Sequence, residues 1–128
     1  MDRIDIHLEV PAVKFIALSR DERAEPSTAI RERVTLARQK QVHRFDNESH
    51  LFANAHMDTR DIRRFCPIDD GSKTLLRAAI TRLGLSARAY DRILKVARTV
   101  ADLESSAEIQ QAHVAEAIQY RTLDRQAA

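Results

Sequence analysis

Gly84-Leu85-Ser86-Ala87-Arg88-Ala89-Tyr90-Asp91-Arg92-Ile93-Leu94-Lys95-Val96-Ala97-Arg98-Thr99-Val100-Ala101-Asp102-Leu103 decides the fold. Ser86 caps a helix that runs to about Glu104. Tyr90, Ile93, Leu94, Val96, Ala97, Val100, Ala101 and Leu103 cover more than half of its circumference, which places it at the centre of a helical bundle. One polar arc remains, made of Arg88, Asp91, Arg92, Lys95, Arg98, Thr99 and Asp102. The start of a helix already carries positive partial charge, so cations there are unfavourable until an anion meets them. Arg88 and Arg92 are therefore candidates for gripping a phosphate. The plain alternative is a solvated face in which Asp91 pairs with Arg88 or Lys95, and Asp102 with Arg98.

Working back from this helix, Gly84 stands where a left-handed residue ends the preceding helix, predicted from about Ser72 to Leu83. Leu85 then folds back toward Ile80 in a Schellman ending. Leu75, Leu76, Ala79, Ile80 and Leu83 form the buried stripe of that helix. A short helix over Asp58 to Phe65 precedes it, capped by Asp58 or Thr59 and stopped before Pro67. Asp46 to Met57 reads as a polar loop. A long helix begins near Ser27, its predicted cap, with Ile30, Val34, Ala37 and Phe45 on one stripe and Arg31, Arg33, Arg38, Lys40 and Arg44 on its other faces. Downstream, a last helix spans about Gln111 to Arg121, with Val114, Ala117 and Ile118 inward.

The N-terminal stretch has a different period. Ile4, Ile6, Leu8 and Val10 alternate with Asp5, His7 and Glu9 up to Pro11, which reads as a half-buried strand. A lone strand cannot satisfy its backbone without a sheet. The expectation is that the chain is cut from a longer protein that holds the rest of that sheet. Residues 1–25 are then a strand and connecting arm, with Phe15, Ile16 and Leu18 as docking points, and residues 26–128 a helical domain. The fold class expected is mainly α, a helical bundle preceded by an isolated N-terminal strand.

Two glycines and three prolines in 128 residues argue against a turn-rich β fold. A net charge of +2 is too slight to diagnose nucleic-acid binding. Cys66 is the only cysteine, so no internal disulfide forms, which suits a reducing cytosol. No apolar run approaches the ~20 residues of a membrane span, and the N-terminus is not a signal peptide. A cytoplasmic protein without membrane contact is expected.

Catalytic signatures are absent from the sequence. There is no Gly-rich phosphate loop and no acidic pair after an apolar strand. His7, His43, His50, His56 and His113 lack the spacing of a metal site and read as polar or capping side chains. Cys66, between Phe65 and Pro67, reads as a small buried side chain. The arginines of the first long helix could follow a phosphate backbone, but no aromatics interleave with them, so a solvated helix is the simpler reading.

Longer motifs add a resemblance. Asp2-Arg3-Ile4-Asp5-Ile6-His7-Leu8-Glu9-Val10-Pro11 resembles the end of the ATPase core in magnesium-chelatase-like AAA+ proteins. Ser27-Thr28-Ala29-Ile30-Arg31-Glu32-Arg33-Val34, Asn54-Ala55-His56-Met57, the stretch Leu85–Leu103 and His113-Val114-Ala115-Glu116-Ala117-Ile118-Gln119-Tyr120-Arg121 continue it in order. The match covers nearly the whole chain and is nearest to the bacterial ComM/YifB-type branch. It implies the C-terminal lid of a ring ATPase, a hexamer with ATP and Mg2+ between subunits, whose N-terminal core lies outside this chain. It implies a role in DNA branch migration and natural transformation. Arg3 is similar to an arginine finger that reaches the γ-phosphate of a neighbouring subunit, and fingers of that kind accelerate hydrolysis by ~10³–10⁵. Arg88, in Ser-Ala-Arg, looks like the sensor-2 arginine, with Arg92 as the lesser substitute. The ordinary reading of Arg3 is an ion pair with Asp2 or Asp5. Without a phosphate loop this stretch is expected to hydrolyse no ATP alone. Two other readings stand beside the lid, an autonomous helical DNA-binding module and the lid of a metal-chelatase motor subunit.

Overall fold

A computed structural model describes residues 5, 6, 8, 25–48 and 50–121. Its elements are α1 (Ser27–Arg44), a 3-10 turn (Asn54–His56), α2 (Thr59–Phe65), α3 (Asp70–Leu83), α4 (Ala87–Leu103) and α5 (Gln111–Gln119). The described residues are mainly helical, as expected, and include no strand. The strand read over residues 4–10 lies largely outside them, as do Arg3 and the arm.

Local chemistry explains each boundary. Asp58 accepts from the Asp61 N–H at 2.9 Å while Asp61 accepts from the Asp58 N–H at 3.0 Å, a reciprocal capping box that starts α2. Asp69 accepts from the Ser72 N–H at 2.7 Å and starts α3 two residues before the predicted position. The backbone N–H donated to each favours its ionised form, so Asp58 and Asp69 sit below their ordinary value of 3.8. A depressed folded value adds stability that is complete above the unfolded value and lost as pH falls through the folded one. Amide exchange in the first turns of α2 and α3 should therefore rise relative to α4 as pH drops below 3.8, and Asp58→Asn or Asp69→Asn should remove that dependence.

Gly84 takes the left-handed conformation at φ 65°, and the Leu85 N–H reaches the Ile80 carbonyl at 3.0 Å, as the Schellman reading requires. A second Schellman ending closes α4. The Ser106 N–H meets the Ala101 carbonyl at 2.8 Å and the Ser105 N–H meets the Asp102 carbonyl at 3.1 Å. Here the left-handed residue is Ser105, at φ 59°. A side chain there is strained, so Ser105→Gly should stabilise the domain by about 0.5–1 kcal/mol in urea unfolding.

α4 is the hub. It packs against α1, the 3-10 turn, α2, α3 and α5, while α5 also packs on α3. Ala97, Ala101 and Ala117 are fully buried, and such small side chains let helices come close. Leu76, Ile93 and Val114 fill the space between.

Four expectations need correction. Pro26 occupies the position before α1 and no side chain caps that helix, so Ser27 is its first residue. Ile30 and Val34 are 43% and 45% exposed, and within α1 only Ala37 and Gln41 are buried. Their face of α1 runs beyond the rest of the bundle and nothing described covers it. The segment from Asp46 to Met57 is no polar loop, because Leu51, Ala53, Asn54 and Met57 are buried. Leu75 is likewise exposed at 36%, beside the buried Leu76 and Ala79.

Candidate functional site

The polar arc of α4 runs from its N-terminal end to its last turn and holds two separate sets of groups. At the last turn lies a buried charged cluster. Asp102 is 1% exposed. Arg44, from the end of α1, donates to both of its oxygens, Nη2 to Oδ1 at 2.6 Å and Nη1 to Oδ2 at 3.0 Å. Asn54 Nδ2 donates to Asp102 Oδ2 at 2.9 Å and to Thr99 Oγ1 at 3.0 Å, and its own N–H donates to Gln41 Oε1 at 2.9 Å. Arg98, 4% exposed, meets Asp102 at 3.3 Å and donates to the carbonyls of Ser106 and Ala107 at 2.9 and 3.1 Å. Burial pulls the Arg98 guanidinium below its ordinary value, against the opposing pull of Asp102. The expected pairing of Asp102 with Arg98 is present. The expected solvation of both is not, because α1 and the 3-10 turn cover this end of the arc.

Nearer the start of the helix each polar group is also engaged, save one. Thr59 Oγ1 donates to Asp91 at 2.7 Å, and the expected ion pair of Asp91 with Arg88 or Lys95 is not formed. Lys95 donates to the Ala55 carbonyl at 3.2 Å. Arg92 forms an ion pair with Asp5 from the N-terminal segment. Arg88 is exposed in the first turn of α4 and has no ion pair among the described residues. No acid stands in that turn, and Ser86 makes no side-chain cap bond. The positive end of the α4 dipole and the Arg88 guanidinium are thus presented together to the outside. Arg88 and Arg92 are brought to one end of one helix. Arg3 lies outside the described residues, so its position relative to them is not part of the structure.

His113 and Cys66 are held in the structure by their surroundings. His113 accepts the Gln110 N–H at Nδ1, 2.9 Å away, so its proton sits on Nε2 and is donated to Glu104 at 2.7 Å. This tie and the Arg98 bonds staple the loop between α4 and α5. Cys66 is buried as expected, and that burial pushes its thiol up to about 12, which removes any thiolate chemistry near neutral pH. Among the described residues no three His, Cys, Asp or Glu are arranged to hold a metal ion. No helix among them is long and apolar enough to cross a membrane.

Periodicity missed Gln41, Asn54 and Arg44 as members of the cluster. The available signal was the pairing of Arg98 with Asp102 four residues apart, which gave the pair but not its burial.

A model of the C-terminal region of magnesium chelatase subunit ChlI matches residues 24–121. The chain is 40% identical over 126 residues to competence protein ComM of Haemophilus influenzae, and 39% over 126 residues to YifB of Escherichia coli. Each alignment takes in 98% of this chain and 24% of the relative. An uncharacterized protein of Mycobacterium tuberculosis is 31% identical over 122 residues, 94% of this chain and 24% of the relative. The chain spans about a quarter of the length of these curated relatives.

Proposed function

Because this chain belongs to the family of magnesium chelatase ChlI C-terminal regions, we propose that it is the helical lid of a ComM-type AAA+ ATPase and senses bound nucleotide through Arg88. The observation that carries this is Arg88 itself. It is the one polar residue of the α4 arc with no partner among the described residues, at the helix end where an anion is stabilised. An exposed guanidinium fits a phosphate oxygen and can hold it in bidentate contact.

In this reading residues 1–25 close the ATPase core and 26–128 form the lid. The ring is a hexamer, and Arg3 reaches the γ-phosphate in the neighbouring subunit. Arg92 stands one turn behind Arg88, and Asp5 holds it in the described structure. The lid then passes the ATP cycle to DNA handling in branch migration and natural transformation; the one support from the relatives is that one of them is named a competence protein. The test is ATP turnover by the full-length protein carrying Arg88→Ala. Unchanged turnover removes the assignment.

A further inference from the structure

α1 is the element that the bundle explains least. It carries Arg31, Arg33, Arg38, Lys40 and Arg44 against the single carboxylate of Glu32. Two of these cations are engaged, Arg33 with Glu25 and Arg44 with Asp102. Arg31, Arg38 and Lys40 are exposed and have no ion pair among the described residues. Apolar groups stand between them in the open, with Val34 45% and Val42 62% exposed. Arg31 and Arg38 are seven residues apart, so they share a face at a separation of about 10 Å. Val34, Thr35 and Val42 lie on the same side. Val34, Arg38 and Val42 line a shallow groove of about 470 Å³ that ends at Asp46.

We propose that this face of α1 docks an acidic amphipathic helix of another protein segment, its carboxylates on Arg31 and Arg38 and its aliphatic side chains against Val34 and Val42. Charge complementarity selects that occupant. A second copy of α1 would bring its own excess of cations against this one. A nucleic-acid backbone would satisfy the arginines but leave the valines with nothing apolar to cover them. The face is built for both kinds of contact at helical spacing. Asp46 at the end of the groove orients the partner, whose acidic end lies toward Arg31.

The probe is a labelled three-heptad peptide with Glu at i and i+7 and Leu at i+3 and i+4, titrated with the 128-residue chain at physiological salt and followed by anisotropy. Saturable binding is expected, weakened about tenfold or more by Arg31→Glu with Arg38→Glu and also reduced by Val34→Ser with Val42→Ser. These residues are exposed, and circular dichroism should stay unchanged in both variants. The proposal is overturned if the peptide does not bind, or if a scrambled peptide of the same composition binds equally. It is also overturned if the charge reversal has no effect, if a 20-bp duplex binds this face more tightly than the peptide, or if sedimentation shows the chain self-associating through it.

Discussion

Replacing Asp102 by asparagine is expected to cost the domain about 3–5 kcal/mol, the range found when one partner of a buried ion pair is removed. Asparagine keeps the volume but takes away the only carboxylate between Arg44 and Arg98. Two guanidiniums then stand close together in a largely buried site, where burial already disfavours the charge on Arg98. For a domain of this size the melting temperature should fall by more than about 10 °C. Urea unfolding of the variant checks the figure. The combined replacement Arg44→Met, Arg98→Met and Asp102→Leu should recover part of the loss, since it removes the buried charges but leaves Asn54 and the Ser106 and Ala107 carbonyls short of partners. A loss below about 1 kcal/mol in Asp102→Asn would mean that water reaches the cluster.

The second large effect is catalytic and concerns the parent ATPase proposed above. Arg88→Ala should lower kcat by about 10²–10³, the scale on which a single charge-stabilising donor contributes to a transition state. The helical domain itself should lose no more than about 0.5 kcal/mol, because the side chain is exposed and bonds to nothing described. Arg88→Lys keeps the charge and loses the planar fork, so partial activity is expected from it. A rise in KM with kcat unchanged would make Arg88 a binding residue with no transition-state role. Steady-state turnover beside thermal melts of each variant separates these outcomes.

Much of the fold was legible because its boundaries are local chemistry. Asp58 with Asp61, and Gly84 followed by Leu85 and Ser86, mark helix ends through hydrogen bonds that span only a few residues. The interior of α4 was legible because its apolar residues outnumber what one solvent face permits. The charged cluster was not. Hydrophobic periodicity assigns Arg98 and Asp102 to water by residue type, whereas their burial depends on Arg44 and Asn54, which approach from segments roughly fifty residues distant. α1 failed in the opposite sense. Ile30 and Val34 keep helical spacing, yet a stripe becomes core only where another element covers it. At the candidate site, the location of Arg88 was readable from its place in the first turn. That its neighbours Asp91, Arg92 and Lys95 would all be occupied was not.

Only Gly84, Leu85 and Ser86 join α3 to the helix that begins with Ala87. A joint that short leaves little slack, and α5 packs against both helices, so the three turn together. At 1.5 Å per residue the 17-residue α4 is roughly 25 Å long. A tug on its leading arginine that tilts it by ten degrees carries its far end through about 4 Å. That far end bears the arginine–aspartate clasp on α1, so a movement of a few ångströms at a ligand would swing the exposed basic rod on the other side of the domain like the needle of a gauge.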